Sequence, residues 1–187
     1  AGGKLYGATY PDSKVFEYDI YSGAFHDLGT MMEGMQYARG IAETDSALYV
    51  GIGPKLHLIR WDKATGEKTE IPIPEAGNQG FVYGISVFEG KLFFNTERTL
   101  HIVEERSGQL LQSLPNVGKI SPPSPKEPRL CYYKQGSSLY AYGINTNESF
   151  HVANFPDKCS DLEPRALTWL VPNQGELAGR SVLAGTG

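Results

Sequence analysis

KLHLIRWDKATG, residues 55–66, decides the fold: a strand of alternating apolar residues runs straight into a polar tight turn that ends on glycine. The chain repeats the phrase on both sides. KVFEYDIYSG (14–23) precedes it, TLHIVEERSG (99–108) follows it, and SLYAYGINTN (138–147) is a fainter copy. The anchors Gly23, Gly66, Gly108 and Asn147 recur roughly every 40 residues, the period of one four-stranded blade of a β-propeller. A repeat of this kind dictates how the whole chain buries its core. The expected fold is all-β, a β-propeller of about four to five blades' worth of four-stranded antiparallel sheets.

Each repeat supplies more than its turn. A first strand rich in small residues opens it: YARGIAE (37–43) and FVYGISVFE (81–89), then KISPPS (119–124) and RALTWLVP (165–172). A second strand follows a tight turn, as in ALYVGIG (47–53) and KLFFNTE (91–97), and the anchor strand comes third. The fourth is more polar: AFHDLG (24–29), EKTEIPIP (67–74), QLLQSLPN (109–116) and ESFHVANF (148–155). Period-2 alternation cut by Gly, Asn, Asp and Pro marks strands and turns, and no window carries a sustained helical stripe. The small residues Ala38, Gly40, Ala42, Gly84 and Ser86 suit innermost strands crowded near an axis.

Residues 35–80, 81–118 and 119–155 each read as a four-stranded blade, whereas 1–34 and 156–187 read as partial blades. Partial blades leave strand edges that must be covered. The expectation is a fragment of a longer propeller, closed by the remaining blades or by a second copy. SPPSPKEP (121–128) is expected to be a rigid loop within a blade rather than a linker.

Composition narrows the partners. With 17 Lys+Arg against 21 Asp+Glu, the net charge of −4 argues against nucleic acid, which wants a basic face. No stretch approaches a membrane span, so no membrane partner is expected. Eleven Tyr and eight Phe suit both β-rich packing and sugar-binding surfaces. Cys131 and Cys159 leave both the paired and the free state open.

GATYPDSKVFEYDIYSG (7–23), followed by YARGIA, ALYVGIG and HLIRWDKATG, resembles the repeats of large bacterial propellers described as PQQ-like or quinoprotein-type. Many such propellers sit in secreted carbohydrate-active proteins, polysaccharide lyases among them. The resemblance implies an extracellular or periplasmic β-propeller that binds a polysaccharide or a protein as a binding or scaffold module. The alternative it implies is part of a polysaccharide lyase acting on a uronate polymer. The Trp-containing motifs that hold PQQ are not recognisable here, so no cofactor carries over.

Candidate chemistry is sparse. His26, His57, His101 and His151 occur once per repeat, a spacing that spreads them over separate blades, too far apart for one transition-metal ion. Asp12, Asp19, Asp45 and Asp62 lie in turns and leave Ca2+ as the better of the metal readings, although no D-x-D-x-D-G loop exists. No nucleophile elbow, P-loop or dinucleotide fingerprint is present. Asn147-Glu148-Ser149 matches a glycosylation sequon. Arg39, Tyr83 and Arg165 stand near the starts of first strands, toward one mouth of a propeller channel, with His57 nearby. Together they would make an anion-binding surface for a uronate carboxylate. The plainer role for the arginines is hydrogen bonding to carbonyls between blades, and for His57 strand packing. Tyr10, Tyr21, Tyr37 and Trp61 are candidates for a sugar-stacking platform.

Overall fold

The computed structural model describes residues 2–156, 164, 166–176 and 178–186. Every regular element among them is a β-strand. Strands β1 (Lys4–Ala8), β2 (Lys14–Asp19) and β3 (Phe25–Thr30) form a three-stranded sheet. Strands β4 (Tyr37–Glu43), β5 (Ala47–Gly53), β6 (His57–Asp62) and β7 (Lys68–Glu70) form a four-stranded antiparallel sheet in sequence order. A second four-stranded sheet holds β8 (Val82–Phe88), β9 (Lys91–Thr96), β10 (Thr99–Glu104) and β11 (Leu110–Pro115). Strands β12 (Leu130–Gln135), β13 (Ser138–Gly143) and β14 (Glu148–Asn154) make a three-stranded sheet, and β15 (Ala166–Leu170) pairs with β16 (Val182–Thr186).

The repeated phrase builds the same turn each time. In the first three copies a carboxylate at the strand end accepts backbone N–H groups of the turn: Asp19 from Tyr21 and Ser22, Asp62 from Ala64 and Thr65, Glu104 from Ser107. The chain then closes on a left-handed residue, with φ of 71° at Gly23, 73° at Gly66, 68° at Gly108 and 59° at Asn147. That conformation explains the residue type, because glycine has no Cβ to clash and asparagine tolerates it best among the rest. In the fourth copy Tyr142 donates its hydroxyl to the Asn147 side chain at 3.0 Å, so the sequon asparagine serves the turn.

The chain divides into two compact units, Ala1–Glu97 with Ile102–Leu110, and Arg98–His101 with Leu111–Gly187. In the first unit the sheets stack face to face. Strand β5 is buried along its whole length. Its Ala47 and Tyr49 join a core with Leu58, Val82, Leu92 and Phe94, while Leu48, Val50 and Ile52 join another with Val15, Met31 and Ile59. Each buried Val, Leu, Ile, Phe or Met side chain among them contributes about 1.5–3 kcal/mol by leaving water. Neighbouring sheets meet where β4 and β5 pack beside β8 and where β1 packs beside β4. Gly51 makes this possible, since a Cβ there would lie 2.2 Å from the Val82 carbonyl oxygen.

In the second unit the expected first strand 119–124 is reduced to one bridge between Ile120 and Tyr133. Pro122, Pro123 and Pro125 have no N–H to give a ladder. The donors that remain are used, Ser121 to Tyr132 and Ser124 to Leu130. Trp169 donates its indole N–H to the Pro122 carbonyl at 2.9 Å, which ties the loop to β15. The fourth strand expected over 67–74 is likewise shortened to Lys68–Glu70, ahead of Pro72. Cys131 is a buried free thiol, and Cys159 lies outside the described residues.

Candidate functional site

The site grows from an irregularity in β4. Ala38 stands opposite Ile52 and Gly40 opposite Gly51, so Arg39 is the extra residue of a β-bulge. A bulge turns its extra side chain out of the ladder, and Arg39 is exposed as a result. Strand β8 carries an irregularity at the corresponding place, between Tyr83 and Ser86, where Gly84 has φ of 61°.

Three rings lead to the guanidinium. Tyr10, in the turn between β1 and β2, stacks on Tyr37 with centroids 4.7 Å apart. Tyr37 meets Phe81 edge-on at 5.3 Å, and the Arg39 guanidinium lies over the Phe81 ring at 4.7 Å. Phe81 rests on Gly53, filling the space a Cβ would occupy, with Cδ1 2.1 Å from that position. Tyr10 is 62% exposed, so the row ends in an open aromatic face. Among the described residues no carboxylate pairs with Arg39. A cation on an aromatic ring gains roughly 0.5–1 kcal/mol at an exposed site and stays free to meet an anion. Chemically, the row offers ring faces and one unspent bidentate donor.

The residues singled out from sequence are only partly brought together. The Tyr83 backbone lies against Gly40, 3.2 Å from where a Cβ would be, so first strands do bring the Arg39 and Tyr83 positions close. The Tyr83 hydroxyl, however, donates to the Glu97 carbonyl and is committed to that turn. His57 stands opposite Ile52, which stands opposite Ala38, so a whole strand separates it from the bulge. Its Nδ1 sits 2.7 Å from Glu70 Oε1. Arg165 lies outside the described residues. Of the proposed stacking residues, Tyr10 and Tyr37 stack together. Tyr21, 83% exposed, belongs to the turn after β2 and Trp61 to the far end of β6.

Phe81 is the member that sequence reasoning passed over. Aligning YARG (37–40) with FVYG (81–84) puts Phe81 in register with Tyr37 and Tyr83 with Arg39, and that alignment would have paired the two aromatics. Two of the other histidines are spent on neighbours: His101 is buried with Nδ1 2.9 Å from Ser113 Oγ, and His151 Nε2 is 2.8 Å from Asn154 Oδ1; His26 is exposed on β3. Among the described residues no group of three or more His, Cys, Asp or Glu could hold a metal ion. Among the described residues no helix is long and apolar enough to cross a membrane.

No family model and no curated protein matches the chain. Solved structures do. A chain of the mitotic checkpoint complex superposes with a TM-score of 0.65 at 16% identity, over 89% of this chain and 51% of that one. The extracellular domain of a putative one-component system from B. thetaiotaomicron gives 0.64 at 17% identity, over 98% of this chain and 26% of that one. The computationally designed Ika8 protein gives 0.64 at 12%, over 97% of this chain and 58% of that one. This chain therefore spans between about a quarter and three-fifths of the length of these three. The likeness establishes the fold class, an all-β arrangement of propeller sheets amounting to part of a β-propeller.

Proposed function

We propose that this chain is a non-catalytic binding module of a bacterial propeller working outside the cytoplasm, and that its row Tyr10–Tyr37–Phe81–Arg39 reads an acidic polysaccharide. The carrying observation is the exposed Arg39 guanidinium, without a carboxylate partner among the described residues, at the end of an aromatic row. Sugar rings lie their C–H faces on tyrosine rings, and a uronate carboxylate meets a guanidinium fork through two parallel hydrogen bonds. A chain with net charge −4 gains nothing from long-range attraction of polyanions, so a single well-placed cation must do the selecting. The extracellular setting is supported by the likeness to a bacterial extracellular domain. The reading includes a propeller completed by further blades or a second copy, because β1 is the edge of its sheet.

Titration calorimetry with polygalacturonate and with a neutral glucan tests this. Arg39→Ala should weaken the uronate polymer by about 1.5–3 kcal/mol, the scale of a charged hydrogen bond, and leave the glucan unchanged. Absorbance of unsaturated products should stay flat during the same incubation; a rise would replace binding with lyase chemistry. If Arg39→Ala lowers the melting temperature and changes no polymer's binding, the arginine is a structural strut. If the wild-type row binds neither polymer, the acidic-polysaccharide reading fails and a protein partner becomes the occupant to seek.

A further inference from the structure

The opposite end of the same sheets carries a second constellation. Strands β4 and β6 run from the aromatic row toward the turns at 44–46 and 63–66, and β1 begins beside them. Between these elements lies a depression of ≈ 380 Å³ lined by Lys4, Tyr6, Glu17, Glu43, Asp45, Trp61 and Lys63 with Gly2. A cleft of that size suits a small ligand.

Most of its charged groups are already engaged, and among the described residues Asp45 is the exception. Glu17, only 8% exposed, accepts from Lys4 at 2.5 Å and from the Tyr6 hydroxyl at 2.9 Å. Glu43 accepts from Lys63 at 2.6 Å, and Lys63 also donates to the Thr44 carbonyl at 2.7 Å while lying 5.3 Å over the Tyr6 ring. Two ammonium groups are thereby spent on two glutamates. Asp45 is exposed and has no polar partner among the described residues. It also lines the adjoining depression of ≈ 410 Å³, where Arg60 is already held by Asp62 at 3.0 Å. The wall thus presents one unspent carboxylate, one indole and a ring of alternating donors and acceptors.

We propose that this depression binds an amine-bearing sugar, a hexosamine, with the pyranose C–H face on Trp61 and the ammonium on Asp45. Hydroxyl groups of the ring then meet a remaining lone pair of Glu17 and the spare protons of Lys4 and Lys63. A neutral hexose gains the same ring contacts and leaves Asp45 to water. An anionic sugar must face Asp45 or break a glutamate–lysine pair, and removing one partner from a half-buried pair is costly. An ammonium–carboxylate contact is the one addition that a hexosamine alone supplies.

The chain has two tryptophans, so a Trp169→Phe background leaves Trp61 as the reporter of this depression. Titrating it with glucosamine, at a pH where the amine is charged, should give a saturable change in Trp61 emission. N-acetylglucosamine, which keeps the ring and loses the charge, should bind about tenfold more weakly, as should glucose. Asp45→Asn should bring glucosamine down to the level of glucose without moving the melting temperature, and Arg39→Ala should leave the glucosamine curve unchanged, which separates this site from the aromatic row. Calorimetry on the unsubstituted chain must give the same order. No saturable response to glucosamine, equal responses to the N-acetylated sugar, or indifference to Asp45→Asn would each overturn the proposal.

Discussion

Replacing Gly51 with alanine probes the stacking of the first unit where it is tightest. A methyl group at Gly51 would sit 2.2 Å from the Val82 carbonyl oxygen and 2.8 Å from its carbon, and both are backbone atoms of the neighbouring sheet. No rotamer change relieves such a contact, so the two sheets must separate by roughly 1 Å to regain ordinary van der Waals distance. Overpacking of this kind costs about 1–3 kcal/mol. Removing the glycine's freedom in the unfolded chain returns about 0.4–1 kcal/mol. The net loss is about 2 kcal/mol at the upper end, which in a chain of this size lowers the melting temperature by about 4–8 °C. Thermal unfolding followed by far-UV circular dichroism, with urea midpoints at constant slope, measures it. Two controls sharpen the result. Gly7→Ala meets the Phe16 ring first, a side chain that can swing aside, and should cost less. Gly66→Ala has open space around it and a φ of 73°, so its cost of about 1–2 kcal/mol is backbone strain alone. A Gly51→Ala protein that melts higher than the parent would show that the sheets do not approach as described.

Three further outcomes follow from the same structure. Tyr49→Phe removes a hydroxyl that donates to Glu105 at 2.8 Å; Glu105 can turn to water, so the loss should be about 1 kcal/mol in urea titration. Although burial opposes it, Glu17 is held below the usual carboxylate range by Lys4 and Tyr6, as is Glu43 by Lys63; the stability they contribute is present above the unfolded carboxylate value, about 4.3, and is lost as pH falls through the lower folded value. A melting-temperature profile should therefore drop on the acid side of pH about 4.3, and Lys63→Met should flatten that drop. Burial pushes the Cys131 thiol up to about 12, so iodoacetamide should leave it unmodified in the folded chain and label it promptly in denaturant.

What the sequence made legible was whatever depends on local spacing. The turn at Thr65-Gly66 and its copies required only an acceptor, a polar pair and a residue able to take positive φ, all of which are adjacent in the chain. The proline run at 121–128 was legible as a loop, and its missing N–H groups also suppress the strand expected from Lys119, leaving the single Ile120–Tyr133 bridge. At the candidate site, Arg39 was visible as a charge in a small-residue strand, whereas its exposure comes from a bulge whose register is set by β5. Tyr83 looked equivalent to Arg39, yet its length lets the hydroxyl reach the Glu97 carbonyl and spend itself there. Pairings such as Phe81 on Gly53 depend on the gap between neighbouring sheets, a quantity with no signature inside either strand.

Strand β5 belongs to two cores at once, one residue to each side in alternation. A wall shared in this way makes stability a nearest-neighbour property. Loosening the sheet β1–β3 uncovers Leu48, Val50 and Ile52, and this weakens the platform on which Ala47 and Tyr49 hold the next sheet. Damage at one repeat should therefore spread by attrition along the stack, with amide exchange in β5 slowest of all and its neighbours failing in order of their distance from it.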